Sequence, residues 1–137
     1  MANNPNFESS PVVLFGSVTA ANTNRDGTGT IVDLVGVSPI PTLAPAAGRK
    51  IDRVNFKATG QLAASVGKLY IFDGTTYRLY KEIIIPATTP STTVKSFEFE
   101  LPLNDCVLQQ NQKLGADITV VPTSGALLVE AFGGEMT

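Results

Sequence analysis

The chain has no histidine, no tryptophan and a single cysteine among its 137 residues. Without histidine the Ser-His-Asp triad, the HExxH zinc site and the commonest general base of enzymes are excluded. One cysteine, Cys106, supplies neither a CxxC pair nor an intramolecular disulfide. With no histidine to activate its thiol, Cys106 reads as a small buried hydrophobe near a strand start. Charge is scarce too: 16% of residues are charged and the net charge is −2, below the usual content of globular proteins. The ten cations are scattered between Arg25 and Lys113, and the densest run, Arg49 to Lys57, is interrupted by Asp52. A clustered basic face for nucleic acid is therefore not expected. No apolar run approaches the ~18 residues of a membrane helix. MANNPNFESS has neither the basic nor the apolar region of a secretory signal. These absences predict one soluble domain, long enough to bury its own core.

What the sequence does have is a period of two. SFEFELPL sets Phe97, Phe99 and Leu101 against Ser96, Glu98 and Glu100. KLGADITVV sets Leu114, Ala116, Ile118 and Val120 against Lys113, Gly115, Asp117 and Thr119, and RVNFKAT sets Val54, Phe56 and Ala58 against Arg53, Asn55 and Lys57. Such alternation predicts half-buried antiparallel strands with one wet face. KLYIFD (68–73) and EIIIP (82–86) are nearly continuous apolar runs, which predicts cover on both faces. ALLVEAFGG predicts a last strand that stops at Gly133-Gly134.

Turn signals punctuate these runs. Asp73-Gly74 predicts a hairpin that makes 68–73 and 77–85 antiparallel neighbours. PATTPSTT (86–93) reads as a loop and PTSG (122–125) as a turn. SPIPTLAPAAG (38–48) carries Pro39, Pro41 and Pro45, so it must be extended, either as an ordinary connector or as an arm that lies on a partner. Strands are expected near 11–19, 29–37, 50–59, 66–73, 77–85, 94–101, 113–121 and 126–132. The fold class that follows is all-β: a single-domain antiparallel β-sandwich of seven to eight strands, with the jelly roll as one form. It spans 11–137 behind an extended N-terminal arm at 1–10.

ANTNRDGTGT (21–30) is the stretch most like a site. A phosphate loop needs Gly, four residues and then Gly-Lys-Ser/Thr opening a helix, whereas Gly27 and Gly29 are two apart and lead into IVDLVGV. An EF-hand needs alternating acids and a closing Glu, and only Asp26 qualifies. A connection fits better, with Asn22, Asn24 and Asp26 as turn formers. Arg25 is then an exposed loop charge, a pin on a carboxylate elsewhere, or a reach toward a neighbouring subunit. Glu98 and Glu100 share a strand face at roughly 7 Å. Without aromatic platforms they read as solvated charges rather than a hydrolase pair. Tyr70, Tyr77 and Tyr80 surround the hairpin and either stack a sugar or fill a core edge or interface. No catalytic residue, cofactor or metal site emerges, and an enzyme is not expected.

Three segments in order, NTNRDGTGTIV (22–32), RKIDRVNFKATG (49–60) and GKLYIFDGTTYRLYKEIIIPA (67–87), resemble a family of small virion structural proteins of tailed bacteriophages and prophages. The shared features are an NTNRDGTG stretch, an R-I-D-R-I-x-I-K-A-T-G strand, and a strand-DG-strand hairpin ending in E-I. The resemblance covers roughly residues 20–120; Lys50 stands between Arg49 and Ile51, and Val54 and Phe56 replace isoleucines. It implies a virion protein made in the host cytoplasm, with no catalytic motif to carry over. The expectation is a decoration (cement) protein on the capsid exterior that binds the major capsid protein, as a homo-oligomer with a trimer favoured, and binds no nucleic acid or membrane. Alternatives are a tail, collar or head-fibre component, or a carbohydrate-binding host-attachment module. Phe7, Arg25, Pro39, Pro41 and Tyr77 are the expected partner contacts.

Overall fold

The computed structural model describes residues 8–136, and no helix forms among them. The strands are β1 (Glu8–Val18), β2 (Val32–Asp33), β3 (Val35–Gly36), β4 (Arg49–Ala58), β5 (Ser65–Phe72), β6 (Tyr77–Ile85), β7 (Glu98–Leu108), β8 (Lys113–Ile118) and β9 (Leu127–Met136). They build a five-stranded sheet, β3-β1-β9-β4-β7, and a four-stranded sheet, β2-β8-β5-β6. Pairing is antiparallel and nested: β1 with β9, β2 with β8, β4 with β7, and β5 with β6. The chain is thus one long hairpin rolled around itself, which is the jelly-roll form of the sandwich.

Alternation in the sequence decides what lies between the sheets. Leu14, Ala131, Val54 and Leu101 form one row across the inner face of the five-stranded sheet, and Gly16, Val129, Phe56 and Phe99 form the next. Leu69, Ile83, Ile85, Leu114, Ala116 and Ile118 face them from the other sheet and are buried. Ile51 and Val54 both reach the core although they are three apart, because Asp52 occupies a bulge that shifts the register. The hairpin at Asp73-Gly74 forms as expected: Gly74 has φ 107°, and the Asp73 carboxylate accepts from the amides of Thr75 and Thr76.

Several elements differ from the sequence-based expectation. The single strand expected at 29–37 is split at fully buried Leu34, with β2 in one sheet and β3 in the other. Leu34 marks the corner, and opposite it a Cβ on Gly16 would meet the Leu34 side chain at 2.5 Å. The strand expected at 94–101 begins at Glu98 and continues to Leu108, so Cys106 is buried near a strand end rather than a start. Both β6 and β7 are sheet edges; Ile84 is 84% exposed, against the expectation of cover on both faces. β9 does not stop at Gly133-Gly134 but runs through to Met136. Gly133 serves close packing instead, since a Cβ there would lie 1.9 Å from the Lys50 carbonyl oxygen at the β4 bulge. Finally β8 ends at Ile118 and is buried on both faces, so Gly115 and Asp117 are not wet. What covers them is the loop between β1 and β2.

Of the expected N-terminal arm at 1–10, residues 8–10 continue β1 along β9, and the rest, with Phe7, lies outside the described residues.

Candidate functional site

The loop that raised the phosphate and calcium questions lies over the outer face of β5 and β8, held by a buried polar cluster. Lys68 and Asp117 are cross-strand partners, both side chains fully buried, with Nζ 3.5 Å from Oδ1. Lys68 Nζ donates to the Asn22 carbonyl at 2.9 Å and also to the Asn24 carbonyl. Asn22 Nδ2 donates to Asp117 Oδ2 at 2.9 Å and to the Thr28 carbonyl at 2.9 Å, while its Oδ1 accepts from the Asn24 amide at 3.0 Å. The Tyr70 hydroxyl donates to the Asn24 carbonyl at 3.0 Å. Asp117 Oδ1 accepts no hydrogen bond among the described residues and lies 3.5 Å from the ammonium. Burial pushes the Asp117 carboxyl above the usual carboxylate range, and the Lys68 charge opposes that rise. Burial, with the Asp117 charge beside it, also raises the Tyr70 phenol and keeps it neutral.

The same loop explains its glycines and its arginine. Gly27 has φ 91°, and a Cβ there would sit 2.1 Å from the Tyr77 carbonyl oxygen, so only glycine lets the loop settle against β6. Asp26 accepts from the Thr28 amide and hydroxyl, closing the tip as a local turn. Arg25 pairs through Nε with Glu82 of β6, which is the loop-pinning role among those open to it. This exposed pair adds little stability, whereas the buried Lys68 cluster fixes the loop.

A second buried cation anchors the proline-rich segment. Arg49, with a fully buried side chain, donates to Glu135 through Nε at 3.1 Å and Nη2 at 2.9 Å. Nη1 donates to the Thr42 carbonyl at 3.1 Å and Nη2 also to the Pro41 carbonyl at 3.0 Å. Ala44 is buried and exchanges backbone hydrogen bonds with Gln112 and Asn111. The 38–48 segment is therefore a fastened connector with Pro39 and Pro41 exposed on its surface; the Ser38-Pro39 bond is cis.

The tyrosines serve separate purposes. Tyr77 is half-buried; its hydroxyl donates to Asp33 of β2, which also accepts from Lys113 Nζ at 2.9 Å, and its ring lies 5.0 Å from that of Phe72. Burial and the Asp33 carboxylate raise the Tyr77 phenol. Tyr80 bonds Asp105 at 2.8 Å, tying the edge strands β6 and β7 of the two sheets together. Tyr70 is buried under the loop, so the three rings share no stacking face. Glu98 pairs with Lys95 at 3.1 Å and Lys57 at 4.0 Å, and the Lys95 hydrogen bond lowers its carboxyl. Both Glu98 and Glu100 are exposed strand charges. Burial pushes the Cys106 thiol up to about 11. Among the described residues no three His, Cys, Asp or Glu side chains converge to hold a metal.

No family model matches the chain, and no curated protein matches it.

Four of the five expected contact residues are therefore placed, in two pairs: Arg25 and Tyr77 lie where the 19–31 loop meets β6 and both bond within the chain, while Pro39 and Pro41 lie on the connector. Lys68, Asp117, Arg49 and Glu135, which organise the surface loops, were not anticipated. A cation inside the apolar run KLYIFD was the available signal, because a lysine in a strand covered on both faces must find acceptors.

Proposed function

We propose that the chain is a non-enzymatic virion structural protein of a tailed bacteriophage, a capsid decoration protein that binds and stabilises the lattice of the major capsid protein as a homo-oligomer. One observation carries this reading: two of the three segments that resemble phage virion proteins, the first and the third, bond directly to each other. Asn22, Asn24 and Arg25 of the first segment bond Lys68, Tyr70 and Glu82 of the third. The resemblance thus falls on residues that build and fasten the framework. A jelly roll whose long loops are nailed down by buried charge suits a part that must hold its shape on a shell, and many weak contacts repeated over a lattice add through avidity.

Co-sedimentation with capsid shells stripped of accessory proteins tests the proposal. Saturable binding at a fixed ratio to the major capsid protein, together with shells that survive heat or low ionic strength better, is the expected result. Retention on tails or on host glycans without shell binding would overturn it in favour of an adsorption component.

A further inference from the structure

The two outer sheet faces are unlike. The chain's own 19–31 loop caps the four-stranded sheet, whereas on the five-stranded sheet an apolar area is exposed among the described residues. Its centre is Phe15, 42% exposed, beside its β3 partner Val35, 44% exposed, with Val37 67% exposed just beyond. Val13 and Phe132 form the neighbouring pair on that face, and Leu128 lies across from Ser17. Towards β4 and β7 the same face turns charged and of mixed sign. The charged side begins at Glu130, the β9 partner of Phe15; beyond it Lys57 pairs with Glu98, Glu100 lies across from Asn55, and the Arg53 guanidinium sits 4.4 Å over the Phe132 ring.

We infer that this face is the surface on which a second copy of the chain packs. Three features select a copy of itself over other occupants. An apolar centre flanked by polar residues is the anatomy of a protein interface. The flanking charges hold both signs, Arg53 and Lys57 with Glu98, Glu100 and Glu130. A copy of the same face therefore carries the opposite charge that each of them needs, whereas a partner of one dominant sign leaves half of them opposed by like charge. The size also suits: strand spacing and rise give a five-stranded face of roughly 24 by 25 Å, and with side-chain relief that approaches the ~800 Å² per partner of a standard interface. The inference deepens the oligomeric part of the proposed function and does not depend on shell binding.

Light scattering coupled to size exclusion, over a range of concentrations, tests it on the full chain and on Phe15→Asp and Val35→Asp. Both side chains project from the outer face, so circular dichroism and the melting profile should show the sandwich intact. The expected result is a wild-type mass of at least twice 14.4 kDa and variants at 14.4 kDa. A monomeric wild type overturns the inference, and so does an oligomer whose mass neither variant changes. If the wild type is monomeric but both variants lose shell binding, the face belongs to the capsid protein; the self-packing inference then fails while the decoration reading stands.

Discussion

Removing the ammonium of Lys68 should be among the most costly single changes on the outer side of the four-stranded sheet. Lys68→Met keeps the aliphatic length but leaves the Asp117 carboxylate buried without its cation, and leaves the Asn22 and Asn24 carbonyls without their donor. Breaking a buried ion pair from one side costs about 3–5 kcal/mol, a large part of the roughly 5–15 kcal/mol that holds a domain together. At about 3–5 °C per kcal/mol for a chain of this size, the melting temperature should fall by roughly 9–25 °C. Urea denaturation measures the loss, and amide exchange localises it, with protection falling first across 19–31. Asp117→Asn retains a polar partner for Asn22 and should cost less. The double change Lys68→Met with Asp117→Leu should cost about 2 kcal/mol less than the two single losses added, since neither charge is then stranded. A Lys68→Met loss under about 1 kcal/mol, the level of an exposed pair, with exchange in 19–31 unchanged, would refute the argument that this cluster fixes the loop.

Arg49→Met should release the proline-rich connector, with proteolytic cleavage appearing inside 38–48 and a stability loss of about 3 kcal/mol. Gly133→Ala should destabilise by about 3 kcal/mol in urea, because the new Cβ meets the backbone of β4 rather than a movable side chain. The Asp73 carboxyl is held well below the usual range by the Thr76 and Thr75 amides and then Arg78. Its contribution to stability is therefore present above the unfolded pKa of about 3.9, and is lost as pH falls through the lower folded value. Carboxyl NMR should show Asp73 protonating after the exposed carboxylates, and Asp73→Asn should flatten the acid limb of the stability profile. Cys106 should resist iodoacetamide at pH 8 while the protein is folded and react once it unfolds, as a mass increase on the chain would report.

The alternation of Val54, Phe56 and Ala58, and the Asp-Gly turn, were legible because they depend on residues adjacent in the chain. Which face a strand shows is a local property, but what covers that face is not. Asp117 alternates with Ile118 as any half-wet strand would, and nothing within ADITV reports that residues 19–31, almost a hundred positions earlier, lie on top of it. The corner at Leu34 was hidden for a related reason: a strand that changes sheets keeps its hydrophobic pattern while changing its neighbours. At Gly133 a residue read as a stop is a point of contact, a distinction that depends on the bulge in β4. The exposure of Ile84 shows the limit from the other side, since an apolar run does not reveal whether its strand lies inside a sheet or at its edge.

The place of β9 governs the order in which this molecule can be completed. It is the last of the described strands, yet it lies between β1 and β4, bonded to each along most of its length. A ribosome releases β1 and β4 long before the residues that join them, so the five-stranded sheet can close only when synthesis of β9 is over. Pairing β1 with β9 also closes the longest loop among the described strands, an entropic cost met before most of the core can reward it. Closure of the five-stranded sheet should therefore wait for β9 to be made. A chain cut short before Leu127 should keep the β5–β6 hairpin as its most local piece of structure, while β1 and β4 present unpaired edges where β9 would have joined them.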